Sequence, residues 1–165
     1  MKRKMDQLGL LLCDIQGEIF EQSITREECS SNIFIRRFMN SEFVSRMDNL
    51  TFINESTTIG NVFEELNEEY GKTSYGKIKF SINEMYWIGY IYRYLSYVYQ
   101  IDSKHAYKII KGNELRHLFF AYHSLDPINA IDRILEAKSI VLHKDSDQLT
   151  KEGVKILRRI KQSKK

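Results

Sequence analysis

Arg116 and His123 are the residues whose types and spacing come nearest to a reaction site. An Arg can hold charge developing on a phosphate, and a His can move a proton near neutral pH. Six residues separate them, but the four His and the many Arg of the chain would give roughly 0.7 such spacings by chance. A capping or surface role for His123, beside the Ser124–Asp126 turn, accounts for it equally well. His105, His117 and His143 have no partner at metal-ligand spacing, and the charge of Arg116 beside His117 disfavours a cation there. Asp145 and Asp147 alternate, but neither a Gly nor a terminal Glu completes a calcium loop. Gly-rich phosphate loops, Gly-x-Ser-x-Gly and Cys/His nucleophile patterns are missing from the sequence. Cys13 and Cys29 form neither Cys-x-x-Cys nor a metal spacing, so a reduced pair is expected. These residues point to a chain that is not an enzyme and uses no metal or cofactor.

Binding chemistry is better represented. The chain has 10 Tyr and 9 Phe. Tyr86, Trp87, Tyr90, Tyr92, Tyr94, Tyr97 and Tyr99 fall in one short stretch with Arg93. At 100° per residue, Trp87, Tyr90, Ile91, Tyr94, Tyr97 and Val98 gather on one side and Tyr92 with Tyr99 on another. A helix apolar nearly all round is a core helix, and interfaces enrich for Tyr and Arg. Both uses are expected together: most of this helix buried, and one row, Tyr92 and Tyr99 with Arg93, exposed to a partner. The segment 151–165 is strongly basic, and Lys155, Arg158 and Arg159 there could follow a phosphate backbone. A solvated terminal helix has the same composition, and this one lacks the interleaved aromatics of a single-strand binder.

The elements that must position these residues read as helices. Met5, Leu8, Leu11, Leu12, Ile15 and Ile19 recur at helical spacing over 5–21. Ser30 or Ser31 can cap a second helix through Ile33, Phe34 and Phe38, with the pattern running on to Phe43, Val44 and Met47. Thr57 or Thr58 opens the next, with Ile59, Val62, Phe63 and Leu66 inward and Glu64, Glu65, Glu68 and Glu69 outward, until Tyr70-Gly71 stops it. After a polar loop in which Ile78 and Phe80 could form a short extended piece, Ser81-Ile-Asn-Glu84 reads as a capping box for a helix to about Gln100. Ser103 caps a short helix, and Gly112 or Asn113 precedes another reaching Tyr122. Asp126-Pro127 opens one holding Ile128, Ile131, Ile134 and Leu135, and a basic helix over 150–163 closes the chain, peripheral to the rest.

The expected fold is all-α: a compact irregular bundle of about six to eight helices around a long central aromatic-rich helix, in one domain over 1–165. A chain of 165 residues can bury roughly 70% of the surface it exposes unfolded, enough for its own core. One Pro and 8 Gly leave long helices uninterrupted. A net charge of +3 is too small to argue for nucleic acid by itself. The apolar run Leu8–Cys13 is too short for a secretory signal or a membrane span, so a cytoplasmic protein with no membrane contact is expected.

Two resemblances add to this. The Arg116/His123 spacing is similar to the Arg-x(4–6)-His pattern of the helical ribonuclease family called HEPN. More of the chain is covered by the second. The segments Tyr75-Gly-Lys77, Met85-Tyr-Trp-Ile-Gly-Tyr-Ile-Tyr-Arg-Tyr94, Ala106-Tyr-Lys-Ile-Ile-Lys111, Glu114-Leu-Arg116 and Tyr122-His-Ser-Leu-Asp-Pro127, with Cys29–Met39 before them, resemble small bacterial proteins labelled as antitoxins. That resemblance spans most of 8–138 and implies a cytosolic protein that binds and neutralises a co-encoded toxin. It implies contact residues among Arg36, Arg37, Tyr92, Arg93, Tyr99, Arg116 and His123. A nucleic-acid-binding regulator using Lys155, Arg158 and Arg159 is the second reading, and a HEPN-like ribonuclease the third.

Overall fold

The computed structural model describes residues 2–50 and 59–142, with 158, 159 and 162 of the tail. Among these it is all-helical, with eight helices and no strand. The Thr57/Thr58 cap and most of the basic helix over 150–163, Lys155 included, lie outside the described residues; Arg158 and Arg159 are helical and exposed.

Helix α1 spans Gln7–Arg26, capped by Asp6, whose carboxylate accepts the Gly9 N–H at 2.9 Å. It runs five residues beyond the expected end before Glu27 turns extended. Its buried face is Gly9, Leu12, Cys13, Gln16, Gly17, Ile19 and Phe20, while Leu11, expected inward, is exposed. α2 (Ser31–Met39) begins at the Ser30 cap. The pattern that promised one helix to Met47 is split. Ser41 breaks it, donating to the Phe38 carbonyl (2.7 Å) and accepting from Val44 N–H (3.1 Å) as the cap of α3, Glu42–Asp48. α4 (Ile59–Tyr70) buries Val62, Phe63 and Leu66 and stops at Gly71, whose φ of +81° suits a residue without a Cβ. The following loop is irregular, with Ile78 exposed and Phe80 buried.

α5 (Ile82–Tyr99) opens on the expected capping box. Ser81 N–H donates to Glu84 (3.0 Å), and Glu84 N–H donates to the Ser81 hydroxyl (3.2 Å). It ends at Gln100, left-handed at φ 52°. Asp102, rather than Ser103, caps α6 (Ser103–Ile109). Lys111 precedes α7 (Gly112–Tyr122), and Pro127 starts α8 (Pro127–Ala137), where Asp126 holds the cap position without a side-chain cap bond.

The organising contact is α1 against α5, running antiparallel. Gln16 donates to the Gly89 carbonyl at 3.0 Å, Gly9 lies against the Tyr97 ring and Gly17 against that of Tyr86. A Cβ on Gly89 would stand 2.7 Å from the Gln16 carbonyl oxygen, so the helices meet this closely only because that position is bare. Phe20 then reaches Phe34 and Phe38 edge-on at 5.3 and 5.1 Å, joining the pair to α2, and α6, α7 and α8 pack round the remaining sides of α5.

Candidate functional site

Which face of α5 meets α1 decides what its aromatics can do. Arg93 is turned inward and is almost fully buried. Its Nε donates to Gln16 (2.8 Å), one terminal nitrogen to Asp48 (2.8 Å) and the other to Ser103 Oγ (3.1 Å). Asp48 also accepts the Ser103 N–H (2.9 Å) and hydroxyl (2.7 Å). One guanidinium fork thus joins α1, α3, α5 and α6, and the buried charge is paired and hydrogen-bonded as burial demands. Ser103, expected as a cap, is absorbed into this cluster.

The exposure expected of Tyr92, Arg93 and Tyr99 is therefore not found. Tyr92 is fully buried, burial pushes its phenol well up, and it donates to the Ile110 carbonyl at 2.6 Å. Tyr99 is buried and donates to Asp132 at 2.6 Å. Arg36 is exposed on α2, whereas Arg37 closes α4 by donating to the Gly71 carbonyl (2.6 Å) and lying over Tyr70. Arg116 donates to Glu84 (3.1 Å) and covers the Phe80 ring at 4.4 Å. His123 is exposed, its Nδ1 2.8 Å from the Phe119 carbonyl and its ring stacked on Phe119 at 4.5 Å. An Arg serving a phosphate would have to leave Glu84 first.

The half-exposed residues of α5 are Glu84 and, at i, i+4 and i+8, Tyr86, Tyr90 and Tyr94. Eight residues of helix place the three phenols along about 12 Å. Successive ring centroids are 6.2 Å apart, the second pair stacked. Tyr86 fits because Gly17 leaves room for its ring, and its hydroxyl donates to Asp14 at 2.7 Å. Burial and then Asp14 push its phenol far up; burial, with Cys13 and Asp14 beside it, takes Tyr90 to about 12. Burial likewise raises Tyr94, near Asp126 and Asp132.

α1 flanks this row with exposed Asp14 and Glu18, which share a face with Leu10 at i, i+4 and i+8 spacing and lie close to Tyr86. Trp87, next in sequence to Tyr86, is buried and meets Phe119 of α7 edge-on at 5.8 Å; Phe119 carries His123, and Phe120 on the same helix is 87% exposed. At the Tyr94 end a cavity of about 260 Å³ is lined by Lys2, Arg3, Lys4, Val98 and Ile128.

A second concavity, about 400 Å³, lies where α3 and α5 end, bordered by Arg3, Asp48, Arg93, Ser96 and Asp102. The buried Ser96 hydroxyl there makes no hydrogen bond among the described residues, but the surrounding charges balance and name no ligand. Among the described residues no group of His, Cys, Asp and Glu could hold a metal ion, and no helix is long and apolar enough to cross a membrane.

Sequence reasoning found the aromatic helix and missed its outward row. The missing signal was glycine: Gly9, Gly17 and Gly89 mark the faces at which α1 and α5 touch, and so which Tyr row is left over. Comparison of the chain with protein-family models, curated proteins and solved structures finds no match.

Proposed function

We propose that this chain is an antitoxin-like cytoplasmic protein that neutralises a co-encoded toxin by direct protein–protein binding, with the Tyr86–Tyr90–Tyr94 row as its contact face. The observation that carries the reading is this row of three half-exposed phenols on a helix whose other aromatics are buried. Aromatics left half-exposed in one contiguous row, rather than singly, mark a contact surface, and Tyr is a common anchor of partner binding. Occluding a toxin's working surface needs no reactive group on this side.

The test is co-expression of the tagged chain with its genomic neighbours, followed by purification in high salt with nuclease present. A stoichiometric protein partner is expected, lost in Tyr86→Ala/Tyr90→Ala and retained in Tyr92→Phe; a chain that emerges alone ends the reading. The exposed helical Arg158 and Arg159 favour one second reading, a nucleic-acid-binding regulator. Salt separates them by degree: binding that neutralises many phosphates falls by orders of magnitude as salt rises, whereas an aromatic-anchored protein interface with a few exposed charges falls far less.

A further inference from the structure

We propose that the phenol row Tyr86, Tyr90 and Tyr94 receives a Lys/Arg-bearing segment of the protein partner, its cations lying on the phenol faces and pairing with Asp14 and Glu18. This rests on the binding reading above and adds the chemistry of the occupant.

The chain shows the contact on its own aromatics. Arg3 lies over the Tyr97 ring at 4.6 Å, Lys2 over Tyr99 at 5.1 Å, Lys111 over Tyr107 at 4.1 Å and Arg37 over Tyr70 at 5.4 Å. Along α5, the two tyrosines at its C-terminal end are thus covered by the chain's own cations. Tyr86, Tyr90 and Tyr94 carry none over their rings among the described residues. A phenol face attracts a cation through the ring quadrupole. Donation of the Tyr86 hydroxyl to Asp14 adds electron density to that ring, strengthening the attraction.

The carboxylates fix the register. Asp14 and Glu18, both exposed and one turn apart on α1, lie at the Tyr86 end, with Asp14 close to Tyr90 as well. Asp126 and Asp132 lie near Tyr94, but Lys2, Arg3 and Lys4 gather at that end, and Lys2 already faces Asp132 at 3.8 Å. The row therefore runs from an acidic end to a mixed one. A partner segment sets its cations opposite Tyr86 and Tyr90 and an apolar residue toward Tyr94, Val98 and Ile128. His123, at the end of α7, stays stacked on Phe119.

The test is selection of a displayed library of random short peptides on the full chain, counter-selected against Tyr90→Ala. Enrichment of peptides carrying paired Lys or Arg is expected, with affinity kept in Tyr90→Phe, which retains the ring. A loss of about tenfold is expected in Asp14→Asn/Glu18→Gln, an exposed pair that keeps the test sharp should Tyr90→Ala unfold. Binders that depend on Tyr90 but are apolar or acidic, or indifferent to Asp14 and Glu18, overturn the cationic occupant and leave the binding reading standing. Absence of any Tyr90-dependent binder counts against both. A dimer of the chain that dissociates in Tyr90→Ala assigns the row to a second copy and overturns the proposal.

Discussion

Arg93 sits where a charge survives only if every donor direction is answered, and Gln16, Asp48 and Ser103 supply the answers from three other helices. Truncating one member leaves another stranded. Arg93→Ala should cost about 3–5 kcal/mol of unfolding free energy in urea titration, since Asp48 would keep its buried charge without its cation. Arg93→Lys should recover little of that, because an ammonium cannot match a planar fork aimed at three acceptors. A Lys variant within about 1 kcal/mol of the parent would contradict this account of the cluster. From sequence alone, Arg93 among tyrosines reads as an interface residue; its real partners lie 10, 45 and 77 residues away, beyond any local pattern. Arg116 was equally ambiguous, since nothing in the spacing to His123 reveals that Glu84 already holds it.

At the level of elements, the close fit of α1 on α5 and the capping of α5 can be tested separately. Gly89→Ala places a methyl against the Gln16 carbonyl and Phe20 and should cost about 1–3 kcal/mol by thermal or chemical denaturation. Ser81→Ala should cost about 1 kcal/mol, the usual value of an N-cap. Burial works to raise the Glu84 carboxyl, but hydrogen bonds from Ser81 and Arg116 prevail and hold it below the ordinary carboxylate range. The box therefore contributes fully above that range and loses its contribution as pH falls through the lowered folded value. Glu84→Gln should flatten this part of the acid limb of the stability profile; an unchanged limb would show that Glu84 is not its source. Starts and stops of this kind were the legible part of the fold. Ser81, Ser30, Gly71 and Pro127 act over three or four residues and carry their signature locally. The Ser41 break was harder to see, because the apolar period continues across it.

For the molecule as a whole, the helix inventory followed from composition and period, whereas the choice of outward face depended on which surfaces of two distant helices were bare enough to touch. Cys13 lies inside that contact, and burial pushes its thiol up to about 12. In the native chain it should resist maleimide at neutral pH, reacting only at the rate of opening of the α1–α5 interface; rapid labelling without denaturant would mean that the two helices part readily. The same interface governs how the protein is made. Gln16 and Gly89 are 73 positions apart, so at ordinary elongation rates of about 5–20 residues per second α1 leaves the ribosome roughly 4–15 s before its counterpart exists. During that interval Phe20 already has Phe34 and Phe38 of α2 to pack against, whereas the strip of α1 around Gly9, Cys13 and Gly17 waits for α5. That strip, bare on a half-made chain, is where a chaperone or another nascent chain would bind during synthesis.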